Sequence, residues 1–320
     1  MAIKKWRMIL LNEKVASLSS SRGLCRLVAI LAILSFVLVS HFSFKVRNSF
    51  ASKRQGVSLD LKPGFLYQGG ISRVILHAHK GDEIIGASFA AKRLPLKKIG
   101  RSDYICLIGV GLKEKPGYKK LEIKLFSPPK GTFTISKNVM VKRKKYPEEH
   151  LKVPGKMVEF PPHILERVLS DQKAVRRACA TISRKIYWNT PFIWPVRSKL
   201  LSPFGLRRFF NGKPRSPHSG IDLRARTGTP IKASNNGRVA LVRNCYLSGN
   251  TIVIDHGGGL FTLYAHLSKV EVKNGQEVRR GQVIGLAGAT GRVTGPHLHW
   301  GVSLLGARVD PVQLIGLLGS

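Results

Sequence analysis

The sequence predicts a mainly β protein in four parts. These are an N-terminal membrane segment, a small β-sandwich-like domain, a helical connector and a C-terminal antiparallel β-sheet domain. Three observations predict it. Leu27–Phe44 is a largely apolar run of 18 residues with no charge except a possible one on His41. Short β-branched or alternating runs bounded by Gly, Pro, Asn and Lys recur on both sides of the chain's middle. A single stretch between them carries a helical period. At 320 residues the chain is long enough for about two domains, each able to bury a core.

The elements follow in chain order. LVAILAILSFVLVSHFSF, written as a helix at about 1.5 Å per residue, spans about 27 Å, close to the hydrocarbon thickness of a bilayer. About 26 basic-rich residues precede it and no A-x-A-like exit follows. Residues 1–50 therefore read as a basic tail and an uncleaved signal anchor, with export after cleavage as the alternative. Basic residues flank the span on both sides, so orientation has to come from function. Residues 57–145 hold GISRVILHA, DYICLIGVGL, KKLEIKLF and GTFTISKNVMVK, short strands at the spacing of a sandwich. His77 and His79 form an H-x-H here, but no further ligand chemistry accompanies them, so they read as surface or edge-strand residues.

Residues 146–194 open on YPEEHLKVPGKMVEFPP, a loop-like stretch. There follows a segment that places Ile164, Leu165, Val168, Leu169, Ala174, Val175 and Cys179 at helical spacing behind two prolines. Tyr187, Trp188, Phe192 and Trp194 then cluster where rings seal an interface. From residue 195 to 316 the runs TPIKASNNGRVALVRNC, GNTIVIDHGGGLFTLYAHL, VEVKNGQEVRRGQVIGLAG and HLHWGVSLLGARVDP read as strands joined by N-N-G, H-G-G-G and N-G-Q turns.

Composition narrows the function. A formal charge of +37 predicts attraction to a polyanion. Nucleic acid is excluded for want of any binding motif. The cysteines are sparse, unpaired by spacing and without C-x-x-C, which excludes a disulfide framework and a thiolate zinc ribbon. VKNGQEVRRGQVIG has the look of a lipoyl or biotinyl half-repeat, but the lysine at a hairpin tip and the duplication that such carriers need are absent.

The chemistry lies in PHSGID, TLYAHL and GPHLHW. His218 and Asp222 stand four apart around a glycine, and His297 and His299 project to one face of a strand. A hydrolytic zinc takes three N or O ligands and keeps one position for water. His218, Asp222 and one of the two later histidines supply three. The other histidine and His266 remain as bases or donors. His256, in the turn IDHGGG, reads as a loop support together with Asp255.

SPFGLRR, HSGIDL, TGTPIKA, GNTIVIDHG, TLYAHL, V-x-x-G-Q-x-V-x-x-G-Q-x-I-G and TGPHLHW together strongly resemble the lysostaphin-type (LytM-like) zinc metallopeptidases that cut peptide cross-links in bacterial cell walls. The resemblance spans Val196 to Leu314, and the upstream half looks more loosely like the N-terminal β-domain and connector of membrane-associated members. It implies one Zn2+ per chain held by His218, Asp222 and His299, with His266 and His297 as catalytic histidines. It further implies a zinc endopeptidase acting on cross-links or stem peptides of peptidoglycan. The alternative is a non-catalytic wall-binding regulator or activator of other hydrolases, against which the complete ligand set argues. Arg224 and Arg226 depart from the family pattern, standing where small or neutral residues are usual. The basic charge fits a protein held against anionic envelope polymers or membrane headgroups. The expected location is the cytoplasmic membrane, with the catalytic domain in the periplasm.

Overall fold

The computed structural model describes residues 56–152 and 160–319. The expected anchor, Leu27–Phe44, lies outside the described residues. No helix among those described is long and apolar enough to cross a membrane. The described chain is mainly β, as the alternating runs predict.

The N-terminal half carries two sheets. One orders Ser58–Lys62, Ile71–His77, Asp103–Gly109 and Lys97–Lys98, and the other orders Leu66–Tyr67, Gly131–Lys142, Gly117–Ser127, Glu83–Phe89 and Lys92–Arg93. Val74, Leu76, Cys106 and Ile108 of the first sheet meet Leu121, Ile123, Leu125, Val139 and Val141 of the second in one buried core. The first sheet has a second apolar face. Ile71, Ile105 and Leu107 point the other way and join the core of the C-terminal half, against Leu304, Val309 and Leu314. The strand period of two thus assigns alternate residues of one strand pair to two different cores. His77 is exposed and pairs with Asp103 at 2.9 Å, and His79 is exposed.

The C-terminal sheet is antiparallel. It runs Leu200–Ser202, Gly220–Arg224, His297–Leu304, Leu260–Val270, Gly249–Asp255, Gly237–Cys245 and Glu277–Val278, with Pro230–Lys232 and Val283–Ala287 pairing to one side. Ile221, Leu223, Leu298, Trp300, Leu260 and Tyr264 fill its inner face. The opposite face carries Phe261, Leu263 and Ala265, partly covered by Val175, Ala178 and Cys179 from the end of the helix Pro162–Ala178. That helix is the predicted connector. Its fit differs from the periodic reading, because Val168 and Asp171 are its buried residues while Leu165 and Leu169 are about half exposed. A buried carboxylate docks it: Asp171 accepts from Arg243 Nε at 2.7 Å and from the Tyr246 amide at 2.8 Å.

Two elements differ from the sequence reading. Glu148–Leu151, inside the stretch read as a loop, is a strand pairing in parallel with Arg207–Phe210. Glu148 and Glu149 pair with Arg207 and Arg208, and His150 stacks on Phe209 at 4.5 Å. The pairing is made across about sixty residues of sequence, and the proline-flanked segment has no local strand period of its own. The second is a terminal helix, Pro311–Leu318, capped by Asp310, whose side chain accepts from the Val312 amide at 3.0 Å. Its residues are apolar nearly all round, so it shows no amphipathic stripe. The aromatic cluster seals an interior, as expected: Trp188 and Phe192 are buried, Phe192 lies edge-on to His256, and Trp194 packs on Trp300. Cys106, Cys179 and Cys245 are buried free thiols.

Candidate metal centre and its proton-transfer histidines

Two neighbouring strands build the floor of the site. Gly220–Arg224 pairs with His297–Leu304 so that Asp222 faces His299 and Arg224 faces His297. Directly opposed residues share a face, so Asp222, Arg224, His297 and His299 all rise from one side of the sheet. The third strand, Leu260–Val270, places the small Ala265 beside His299. His266 follows with φ +63, in the left-handed region, where the ladder to Gly249–Asp255 loses register. The run GNTIVIDHGGGLFTLYAHL, read from the sequence as strand, ends one residue past His266. The strand instead continues to Val270, and this irregularity turns the imidazole towards the others, its ring 4.8 Å from His297 and 6.1 Å from His299.

His299 Nδ1 lies 2.9 Å from His218 Nε2 and 3.0 Å from Asp222 Oδ1, and His218 Nε2 lies 3.1 Å from the same oxygen. Two imidazole nitrogens and a carboxylate oxygen therefore converge on one point, a donor set suited to zinc. The outer nitrogens decide what the inner ones offer. His218 Nδ1 sits 3.0 Å from the Pro203 carbonyl, which can only accept, so the proton is on Nδ1 and Nε2 presents a lone pair. His266 Nδ1 donates likewise to the Thr290 carbonyl and His297 Nδ1 to the Gly295 carbonyl, each at 2.9 Å. His297 Nε2 is then left 3.7 Å from Asp222 Oδ1.

Burial alone would raise the Asp222 pKa, but hydrogen bonds from His218 and His299, with their charge, hold it far below the usual carboxylate range. Burial pushes His266 down to about 4 and lowers His299, so both are neutral near pH 7. The ring of His299 crosses the neighbouring strand at Gly220. A Cβ there would meet the Trp300 carbonyl at 2.5 Å and His299 Nε2 at 2.8 Å, so only glycine leaves room. The side chains of His218, His297 and His299 are 9%, 16% and 14% exposed, sunken yet open to a substrate.

Groups behind the three converging residues went unseen in the sequence. Ser202 Oγ lies 3.3 Å from His218 Nδ1 and accepts from Arg208 at 3.2 Å, and Arg208 is held by Glu149 at 2.8 Å. A chain of contacts thus runs from the connector strand to His218. SPFG, the stretch Ser202–Gly205 upstream of His218, was the available signal for Ser202 and Pro203; Glu149 had none. His256 is kept apart from this centre. It is fully buried, donating from Nδ1 to the Asn236 carbonyl at 2.8 Å, with Nε2 2.7 Å from Thr262 Oγ1.

Two imidazoles and a carboxylate at ligand spacing, His218 from the segment before Gly220–Arg224 and Asp222 and His299 from the sheet face, with two further histidines pinned at Nδ1, define the class: a metal-dependent hydrolase centre. Comparison with known proteins narrows it. Residues 216–311 match the profile of peptidase family M23. A Pseudomonas aeruginosa protein whose crystal structure is assigned to peptidase M23 superposes with a TM-score of 0.61 at 34% identity, over 78% of this chain and 95% of that one. The chain belongs to peptidase family M23. Over 123 residues the chain is 46% identical to the peptidoglycan DD-endopeptidase ShyA of Vibrio cholerae, covering 38% of this chain and 29% of the relative. It is 42% identical over 119 residues to the DD-carboxypeptidase/endopeptidase Mpg of Neisseria meningitidis, covering 37% of this chain and 27% of the relative. The matched region thus spans less than a third of the length of these curated relatives.

Proposed function

We propose that the protein is a zinc endopeptidase that hydrolyses peptide cross-links or stem peptides of bacterial peptidoglycan. The observation that carries the reading is the convergence of His218 Nε2, Asp222 Oδ1 and His299 Nδ1, pairwise 2.9–3.1 Å apart, beside His266 and a more distant His297, whose Nε2 is 3.7 Å from the same oxygen. Those three residues would hold one Zn2+ per chain. When bound, zinc supplies Lewis acidity for the scissile carbonyl and acidifies water near neutral pH. His266 and His297 donate from Nδ1 to the Thr290 and Gly295 carbonyls, and each can take or return a proton at Nε2. Both rings are held in place before substrate arrives, so little reorganisation accompanies the proton transfer.

In this reading residues 57–145 are an accessory region, 146–194 a connector and 195–316 the catalytic region. Leu27–Phe44 anchors the chain in the cytoplasmic membrane with the catalytic region in the periplasm, or else is removed on export. The excess of basic residues holds the protein against anionic wall polymers or headgroups rather than nucleic acid. The names of the relatives support peptidoglycan as substrate. Digestion of purified wall material by the metal-loaded full-length protein, with identification of the new amino termini, tests it. New termini within stem or bridge peptides are expected. Intact wall peptides after digestion would favour the non-catalytic regulator.

A further inference from the structure

Arg224 is a strong charge set directly beside the site, and neither the metal ligands nor the proton-transfer pair uses it. It is the register partner of His297 in the paired strands Gly220–Arg224 and His297–Leu304. Its Cβ therefore stands about 5 Å from that of His297, on the face that carries Asp222 and His299. The next residue, Ala225, is buried, whereas Arg224 itself is exposed. Its backbone is fixed, with the amide donating to the Lys199 carbonyl at 2.9 Å. Among the described residues no hydrogen bond or ion pair holds its guanidinium. Other arginines around the site are occupied: Arg207 and Arg208 are paired with Glu148 and Glu149.

The surroundings reinforce the charge. Between residues 195 and 232 the sole acidic residue is Asp222, which faces the two ligand histidines. Arg197, Lys199 and Arg226 are exposed along the same edge. A planar fork of donors that is rigidly rooted, unpaired and next to the reacting centre is matched by a carboxylate, which it binds in two parallel hydrogen bonds.

We infer that Arg224 is a substrate-binding residue that docks a free carboxylate carried by the residue flanking the scissile amide, so that this site favours acidic wall peptides over neutral bridges. The inference rests on the hydrolase reading for its location and goes beyond it in naming the feature of the substrate that is recognised. Arg224 touches the substrate's carboxylate rather than the reacting atoms. Its effect is therefore on binding and on the position of the amide relative to His297.

The test uses the full-length, metal-loaded protein and a matched pair of cross-linked stem peptides, one with the flanking carboxylate free and one with it amidated. The unsubstituted protein is expected to prefer the free acid about ten- to a hundredfold in kcat/KM, mostly through KM, the usual worth of a charge-assisted pair. In Arg224→Gln the ratio should fall to near one at unchanged metal content, and Arg224→Lys should restore part of it. The same ratio is read without turnover by calorimetric binding of the two peptides with the scissile amide reduced to an amine. Equal handling of the two peptides by the unsubstituted protein, or a ratio that survives Arg224→Gln, overturns the inference. If no peptide is cleaved, the hydrolase reading fails, and the binding ratio still decides the role of Arg224.

Discussion

At the scale of single residues the site divides its histidines by which nitrogen faces inward and what holds the other. His218 and His299 face Asp222 at hydrogen-bond distance, whereas His297 is further off and His266 is turned in from a distorted strand. Replacing His218, Asp222 or His299 by Ala is therefore expected to lower zinc content and activity together. Replacing His266 or His297 should leave most of the zinc while costing on the order of 10² to 10⁴ in rate. Metal analysis of purified variants decides it, and loss of zinc from His297→Ala as complete as from His299→Ala would refute the division. Gly220→Ala should act through geometry alone. The added methyl meets the Trp300 carbonyl of the paired strand as well as the His299 ring, so the two strands part locally and His299 is displaced; zinc is then expected to be lost to a chelator at lower concentration, with the rest of the sheet retained by circular dichroism. An unchanged chelator midpoint would show that the ring has room to move. All five named side chains were legible in the sequence, because each motif carries its own imidazole or carboxylate. The Pro203, Thr290 and Gly295 carbonyls that set the tautomers were not, since every residue has a carbonyl and no side-chain pattern marks these three.

At the scale of elements, the strands with alternating β-branched residues were legible and those made by long-range partnership were not. Gly131–Lys142 has its period written in GTFTISKNVMVK. Glu148–Leu151 is held by ion pairs and a ring stack to residues some sixty positions away. The connector helix was found from its period, but which side it buries was not, because it is pinned by a carboxylate rather than by its leucines. Asp171 is 5% exposed and accepts two hydrogen bonds, one from a backbone amide that would otherwise lose its partner. Asp171→Ala is accordingly expected to cost about 2 kcal/mol, much of it as local release of the helix. Hydrogen exchange should rise across residues 162–178 and at Tyr246 while the central strands stay protected. Protection unchanged in the helix would mean that Val168 and the Cys179 end suffice to dock it.

At the scale of the whole molecule, the two halves share a wall, which the reading of two self-contained cores did not foresee. Sequence alternation shows that Ile71–His77 and Asp103–Gly109 are strands, but it cannot say that both faces are covered. The Ile71 amide also donates to Gln313 Oε1 at 3.2 Å, and the Asp310 amide donates to the Gly69 carbonyl at 2.9 Å. A chain starting at Trp188 would expose Leu304, Val309 and Leu314. Its thermal midpoint should fall by several degrees and it should associate in solution, as size-exclusion chromatography would show. An equal midpoint would make the shared wall dispensable. Acid should weaken the intact fold in a defined window. His256 is fully buried, and desolvation, opposed by its hydrogen bond to the Asn236 carbonyl, lowers its pKa to about 4. In the unfolded chain the same imidazole titrates near 6.5. Between those values the unfolded state binds a proton that the folded state refuses, so stability rises with pH there. The contribution is whole above about 6.5 and is lost as pH falls towards 4. About 2 kcal/mol should disappear between pH 7 and pH 5 on this account. Metal release can also act in that range, so the measurement is a comparison by denaturant titration of the unsubstituted protein with His256→Gln. The variant should be the less stable at pH 7 and lose distinctly less on acidification. Parallel losses in the two proteins would move the origin of the acid sensitivity away from His256 and to the metal-binding face.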